Sequence, residues 1–251
     1  MGVLAVARRA DQGARADVGV RSARHGRRSA DGGARGGTGG RLVSASLAAL
    51  QLADWRRRVF GLYAGVRHLS VRDPAAGHEL WKSGRDELFA GHPQSPLLPD
   101  DRYTFSGLTV ARYDPDWRFE LEVTRAEEPE KLVVDSATDG KIHLSLVGAV
   151  RVPYLGSLDV WRITGYAGGL FLPVKDGLAG VPGGTYGGGR YLLDTMKGAD
   201  LGPAADDDAL IVDFNFAYNP SCAYDPSWSC PLAQAGNTVA SEIPVGERMH
   251  R

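Results

Sequence analysis

The stretch KLVVDSATDGKIHLSLVGAVRV (Lys131–Val152) decides the fold. It contains two runs in which apolar and polar residues alternate, on either side of Asp139-Gly140. A period of two is typical of β-strands with one buried face. An Asp-Gly pair between two such runs is a strong signal for a tight hairpin turn. The stretch therefore predicts a β-hairpin within an antiparallel sheet.

Similar short runs lie on both sides of this hairpin, and turn-forming segments such as YDPDW (113–117) and YLGS (154–157) separate them. The runs are YTFSGLTVARY (103–113), RFELEVTRA (118–126), LDVWRIT (158–164), GGLFLPV (168–174), GRYLLDT (189–195) and LIVDFNFAY (210–218). We therefore expect six to eight strands between Tyr103 and Tyr218. Their pattern favours an antiparallel sheet that curls into a barrel or a sandwich.

The segment before the strands has helical periodicity. In residues 44–69, apolar side chains such as Leu47, Leu50 and Phe60 recur at near-helical spacing. A second helix is predicted to begin with Asp73 as its cap and Pro74 in its first turn, and to end at Gly91. Its charged residues indicate a solvated face. The connector HPQSPLLPDD (92–101) is expected to be extended, because proline disfavours a helical conformation in the residue before it.

The first 42 residues differ in composition from the remainder. They are rich in Arg and Gly, have no apolar period, and cannot bury enough surface to fold. We expect residues 1–42 to be a disordered tail and residues 43–251 to be a single globular domain. The fold class predicted for that domain is α+β, with two helices in 44–91 followed by a β-rich part in 103–251.

Charge and hydropathy exclude several functions. The formal net charge is −1, and the nine Arg of residues 1–41 leave the remainder mildly acidic, so no nucleic-acid partner is expected. No window approaches the length of apolar sequence that a transmembrane helix needs, so no membrane partner is expected either. The start lacks the order of a secretory signal, and we expect a cytoplasmic protein. The sequence does not determine the oligomeric state.

A polar strand face near the C-terminus is the candidate site. Strand alternation places Asp213 and Asn215 on one face of their strand, and Arg190 and Asp194 on one face of theirs. If the two strands are neighbours, these side chains meet. The glycine-rich loop GGTYGGGR (183–190) and the turn YNPSCAYDP (218–226) would then enclose them, so this face is either a pocket wall or a plain structural surface.

The candidate residues divide by role. Asp213, Asp194 and Arg190 are the catalytic candidates. The ligand-binding candidates are Tyr186, Gly188, Gly189, Asn215, Tyr218, Asn219 and His92.

Established motifs are missing from the sequence. The glycine loop lacks the Lys-Ser/Thr of a phosphate loop, and the segment after it has a strand pattern, which also excludes the dinucleotide fingerprint. No pair of histidines has metalloprotease spacing. The two cysteines, Cys222 and Cys230, are spaced too widely for a usual zinc pair; they are semi-buried thiols, weak metal candidates, or a redox-dependent bridge. No cofactor can be assigned.

Four ordered segments resemble one family. They are ELWKSGRDELFAGHPQSPL (79–97), TYGGGRYLLD (185–194), DFNFAYNPSCAYDPSWSCPL (213–232) and IPVGER (243–248). Together they are similar to the bacterial and archaeal family of unknown function DUF1684, over about Asp54 to Glu247. The tail also resembles an actinobacterial reading frame.

The resemblance indicates which positions belong to the family motif, but it implies no activity. The family pattern matches at Asp176, Thr185 and Tyr186, whereas Leu178 stands where a Thr is expected. It also matches at Arg190, Asp194, Asp213, Asn215, Tyr218, Asn219 and both cysteines.

Three functions remain open. The first is a small-molecule enzyme, hydrolytic or isomerising, in which Asp213 or Asp194 acts as an acid or base and Arg190 orients an anionic group. The second is a module that binds a small-molecule ligand without changing it. The third is a structural or partner-binding domain. Both site hypotheses predict that the Arg190 guanidinium and the Asp213 carboxylate project into one enclosed space.

Overall fold

The computed structural model describes residues 45–136, 140–166 and 168–249. The predicted tail, residues 1–42, lies outside the described residues, as does Asp139 of the predicted hairpin turn. The described part contains three α-helices followed by seven β-strands. The expected α+β order is therefore confirmed, and the sheet is a curled antiparallel half-barrel.

The first two helices form an antiparallel pair. They are α1 (Ala45–Ser70) and α2 (Pro74–Gly91), and Asp73 caps α2 by accepting a 3.0 Å hydrogen bond from the backbone N–H of Ala76. Glycine permits the close approach: a Cβ at Gly77 would overlap Ser70 Oγ, and one at Gly84 would lie 2.6 Å from Leu62 Cδ1. None of the helices in the described residues has the length and apolar character needed to cross a membrane.

Two expectations about this helical layer are wrong. The apolar face predicted for α1 is largely exposed, with Leu50 at 66% and Phe60 at 47%, and Tyr63 and Val66 are the residues that α1 buries. The connector expected to be extended contains a third helix, α3 (Pro99–Thr104). Proline suits the first turn of a helix, so Pro99 begins this one rather than preventing it.

The seven strands follow the predicted runs closely. They are β1 (Arg118–Arg125), β2 (Lys131–Ser136), β3 (Gly140–Val152), β4 (Gly156–Thr164), β5 (Gly169–Val174), β6 (Arg190–Asp194) and β7 (Ala209–Asp213). Their order in the sheet is β6-β5-β4-β3-β1-β7, with β2 also paired to β3, and every pairing is antiparallel. The run YTFSGLTVARY does not form a strand; its only bridge in the described residues joins Val110 to Glu247.

The long strand β3 shapes the curl of the sheet. Its register against β4 shifts between Leu146 and Gly148, where a bulge bends the strand. Beyond the bulge β3 pairs with β1, and a Cβ at Gly148 would overlap the carbonyl oxygen of Thr124. Glycine is therefore required where β1 lies against β3. The main apolar core contains fully buried side chains of these strands, among them Val150 and Leu158.

The end of β7 differs from the prediction. The strand stops at Asp213, and the chain turns through a 3-10 turn (Phe214–Phe216). Phe214 therefore enters the core of the sheet, whereas Phe216 packs with the helices. Strands β6 and β7 are not neighbours but lie at opposite ends of the sheet. The chain after the turn comes back to β6, where Tyr218 and Tyr191 exchange two backbone hydrogen bonds of 2.8 and 3.0 Å.

Candidate functional site

Arg190 is a buried anchor for the C-terminal segment. Its guanidinium donates hydrogen bonds to the carbonyl oxygens of Ile243, Val245 and Glu247, at 2.5 to 3.2 Å. It also pairs with Asp176, with 3.1 Å between Nη2 and Oδ2. Burial lowers the pKa of Arg190 to about 10, which leaves the group charged at neutral pH. The N–H groups of Arg190 therefore bind the protein's own backbone and Asp176.

Asp176 completes this anchor. One of its carboxylate oxygens accepts a hydrogen bond from the Thr185 hydroxyl, and the other accepts from the backbone N–H of Ile243 as well as from Arg190. The segment is held so closely that a Cβ at Gly246 would lie 2.9 Å from Arg190 Nη1. Two motif positions of the resemblance, Asp176 and Thr185, thus have a structural explanation.

Asp213 and Asn215 tie the end of β7 to the loop before β1. Asp213 Oδ1 accepts hydrogen bonds from the backbone N–H and the side-chain amide of Asn215, at 3.0 and 2.8 Å. Asn215 in turn bonds both backbone groups of Asp114, at 2.9 and 2.8 Å. Burial raises the pKa of Asp213 to about 6, although the Asn215 bonds oppose that shift.

The geometry does not join Arg190 to Asp213. Within the described residues, the carboxylate that pairs with Arg190 is that of Asp176, and Asp213 instead faces Asn215 and Tyr113. The physical reason is the turn that begins at Asp213, which breaks strand alternation, together with the separation of β6 from β7 in the sheet. The prediction that Arg190 and Asp213 project into one common space is therefore corrected: each side chain binds a different partner. The catalytic roles predicted for Asp194 and Asp213 stay predictions.

The glycine loop and His92 also contact protein. A Cβ at Gly188 would lie 2.6 Å from the Tyr186 ring, and one at Gly189, where φ is +88°, would lie 2.7 Å from the carbonyl oxygen of Val174. His92 follows α2, accepts a 3.0 Å hydrogen bond from the Gln94 N–H, and is buried. Gly188, Gly189 and His92 therefore pack against neighbouring parts of the chain.

A separate cavity of about 100 Å³ brings together three of the predicted residues, Asp194, Tyr218 and Asn219. It lies where the helical layer meets the end of β6. Five of its lining residues are aromatic: Trp55, Tyr63, Phe89, Tyr191 and Tyr218. Arg85, Lys197, Ser221 and Cys230 add polar groups. Convergence of a few polar groups on an aromatic enclosure is typical of small-molecule sites.

The tyrosine hydroxyls of this cavity are neutral hydrogen-bond donors. Burial raises the pKa of Tyr63 to about 12 and that of Tyr218 well above its ordinary value, and the negative charge of Asp194 adds to both shifts. Asp194 is held in place because its Oδ1 accepts a 3.2 Å hydrogen bond from the backbone N–H of Lys197. The cavity therefore combines one fixed carboxylate with un-ionised phenols.

Arg85 also lines the cavity. Its guanidinium carbon lies 5.0, 5.2 and 5.0 Å from the ring centroids of Trp81, Phe89 and Tyr218. It also pairs with the buried carboxylate of Glu247, at 2.6 Å. Burial raises the pKa of Glu247, and Arg85 opposes that shift. Arg85 and Glu247 therefore form an ion pair beside the cavity, and Asp194 and Lys197 are further charged groups of the lining.

Comparison with known proteins places the chain in a family. The profile of a family described as "protein of unknown function (DUF1684)" matches residues 103–248, more than half of the chain. The chain belongs to the DUF1684 family. The matched residues contain β1 to β7 and most of the cavity lining, but not α1 or α2.

The DUF1684 fold has a solved counterpart. A solution NMR structure of an uncharacterised protein from Haloarcula marismortui is 30% identical to this chain, with a TM-score of 0.52. The alignment covers 71% of this chain and 96% of that one. Among curated proteins, no relative matches.

The two DUF1684 cysteines lie eight positions apart in the segment that follows Tyr218. Both are free thiols and half-buried, and Cys230 lines the cavity. The Tyr186 hydroxyl lies 3.6 Å from Cys222 Sγ. Among the described residues, no group of three or more His, Cys, Asp or Glu side chains is placed to hold a metal ion.

Sequence reasoning missed Arg85, Glu247 and Tyr63. Arg85 was assigned to a solvated helix face, yet Trp81, Arg85 and Phe89 are spaced four apart, so they share one side of α2. An arginine between two aromatic residues at that spacing is a usable signal for a buried cation. Glu247 carried no local signal, because its partners come from α2 and from Asn219.

Proposed function

We propose that this DUF1684 protein binds a small amine-bearing molecule in the cavity lined by Asp194. The observation that carries the proposal is the placement of one buried carboxylate within an aromatic enclosure. A carboxylate and the faces of aromatic rings both attract cations. Tyr63, Tyr191 and Tyr218 surround Asp194 closely enough for its charge to raise the pKa of each phenol.

The volume of the cavity and the charged residues of its lining restrict the class of ligand that fits. A water molecule occupies roughly 30 Å³ in the liquid, so a cavity of about 100 Å³ has the volume of about three waters and suits only a very small ligand. Lys197 is exposed and belongs to the same lining, where it suits an anionic group on the ligand. A small zwitterion of amino-acid type, with its amine towards Asp194 and its carboxylate towards Lys197, is complementary to both charges.

For Arg190, Asp213 and Asn215 we propose a structural role. All three are at most 2% exposed. Their polar atoms bond to the C-terminal segment and to Asp114. This arrangement supports the alternative in which the polar face joins segments of the chain and does not contact substrate.

We also propose that the protein works in the cytoplasm. Two free thiols are consistent with a reducing compartment, where cysteines are kept reduced.

A thermal-shift screen of small amines, amino acids and neutral isosteres tests the binding proposal. A ligand at about 100 times its Kd stabilises the folded state by about 2.7 kcal/mol, which corresponds to a rise in Tm of roughly 5–10 °C for a domain of this size. Asp194→Asn should abolish the shift from amines, since the amide keeps the shape but loses the charge. Asp206→Asn, in an exposed loop, is the matched control and should leave the shift unchanged.

Two results would contradict the proposal. One is a wild-type protein that no amine stabilises. The other is an equal shift in the wild type and Asp194→Asn.

A further inference from the structure

A second cavity, of about 230 Å³, is distinct from the one lined by Asp194. Its walls come from α3 and the chain after it, from the 3-10 turn Ser221–Ala223 with Tyr224, and from the C-terminal residues 247–249. None of the described residues that line it also lines the Asp194 cavity. The proposed amine ligand therefore leaves this second cavity without a function.

The second cavity has a largely apolar wall that the chain's own hydrogen bonds hold in place. A backbone hydrogen bond of 2.8 Å from Arg248 to Thr109 joins two of the walls, and the Leu108 N–H donates to Asp86 Oδ1 of α2 at 2.7 Å. Pockets for small molecules are usually formed before the ligand arrives and are mainly apolar. The apolar and aromatic lining residues are Leu97, Phe105, Leu108, Ala223, Tyr224 and Met249.

Two polar side chains of this lining have a buried atom without a partner among the described residues. Glu247 is 1% exposed, and its Oε2 accepts hydrogen bonds from Arg85 and from the backbone N–H of Asn219. Its Oε1 has no partner, and neither has the buried hydroxyl of Tyr224. Buried polar groups that lack a hydrogen bond destabilise a fold, so a molecule that bonds to both atoms would gain free energy on binding.

We propose that this cavity binds a small neutral aromatic molecule that carries a hydroxyl group. An apolar protein cavity of about 150 Å³ binds benzene, so about 230 Å³ admits a single substituted ring. A hydroxyl group both donates and accepts, which suits Glu247 Oε1 as acceptor and the Tyr224 hydroxyl as donor. The ligand is neutral because Glu247 already pairs with Arg85 at 2.6 Å, and a second buried cation would be costly to desolvate.

An NMR titration of the ¹⁵N-labelled full-length protein with phenol tests where the ring binds. The amide signals of Leu108, Tyr224 and Met249 should move along one saturable curve, and that of Lys197, in the other cavity, should not. Ala223→Leu fills the cavity and should abolish these shifts, whereas Ala205→Leu, in an exposed loop, is the matched control. Signals that stay fixed, or that move equally in Ala223→Leu, would overturn the proposal.

The same titration separates this proposal from the amine site. Asp194→Asn should bind phenol with the Kd of the wild type, because Asp194 does not belong to this lining. A loss of phenol binding in Asp194→Asn would place the ring in the other cavity and overturn the second site. Failure of the amine screen leaves the phenol titration unaffected, so the two proposals fail independently.

A second comparison tests the polar contacts. Tyr224→Phe keeps the ring and removes a hydroxyl that has no partner within the protein, so the variant should fold normally. Its Kd for phenol should rise about 2- to 12-fold, as expected for the loss of one neutral hydrogen bond. Toluene, which has the shape of phenol without the hydroxyl, should bind the wild type and Tyr224→Phe with the same Kd. Equal affinity of phenol for both proteins would refute recognition of a hydroxyl at this site.

Discussion

Replacement of Arg190 by methionine should destabilise the protein severely, although it removes no residue of the proposed binding cavity. Methionine fills most of the space but cannot donate to the three carbonyl oxygens of residues 243, 245 and 247. It also leaves the buried Asp176 carboxylate without its cation. Removal of one partner of a buried ion pair costs about 3–5 kcal/mol.

Urea denaturation of Arg190→Met at neutral pH measures this cost directly. The free energy of unfolding should fall by about 3–5 kcal/mol, equivalent to a fall in Tm of roughly 6–20 °C. Arg56→Met, on the exposed face of α1, is the matched control and should stay within about 0.5 kcal/mol of the wild type.

The double variant Arg190→Met/Asp176→Asn separates charge from packing. It should be more stable than Arg190→Met alone, because the amide removes the unpaired charge. An Arg190→Met protein that loses less than about 1 kcal/mol would refute the anchor and revive a ligand-facing role for this guanidinium.

Two further predictions concern other parts of the fold. Gly148→Ala should cost about 1–3 kcal/mol in urea denaturation because β1 must move away, whereas Gly61→Ala, with open space around it, should be neutral or stabilising. Asp213 has a folded-state pKa of about 6, above its ordinary value, so the folded state holds this proton more tightly than the unfolded state. Its contribution to stability is full below about pH 4 and is lost as the pH rises to about 6. In a pH series of denaturation curves, the free energy of unfolding of the wild type should fall by about 3 kcal/mol from this group, and that of Asp213→Asn should not. The same pH dependence in both proteins would contradict the raised pKa of Asp213.

Local chemistry explains which parts of the fold could be predicted. The start of α2 follows from Asp73 and Pro74, and its end follows from Pro93, because the residue before a proline, His92, is extended. Most strands follow from alternation, because one face of each is buried. The β2–β3 pairing was predictable for the same reason.

Long-range pairing explains what could not be predicted. β6 is buried throughout, so RYLLD carries no alternation that would reveal its neighbour. At the end of β7, Asp213 caps a turn by accepting from the N–H of Asn215, and this turn chemistry overrides the period of two. Strand alternation alone therefore paired Arg190 with Asp213, whereas the carboxylate that Arg190 contacts is that of Asp176.

The candidate site was predictable only in part. Asp194, Tyr218 and Asn219 were identified from the sequence and lie around one cavity. Arg85 and Tyr63 come from α2 and α1, and only the packing of the helices against β6 brings them there. No pattern within either segment specifies that contact.

The central claim is that the charge of Asp194 holds an amine within the aromatic cavity. Isothermal titration calorimetry with an amine from the screen, into the wild type and into Asp194→Asn, tests it most directly. Because a hydrogen bond to a charged group is worth about 1.5–3 kcal/mol, Kd should rise about 10- to 150-fold in the variant. The neutral isostere of the same amine should bind both proteins equally weakly. Unchanged affinity of the amine for a folded Asp194→Asn protein would contradict the account.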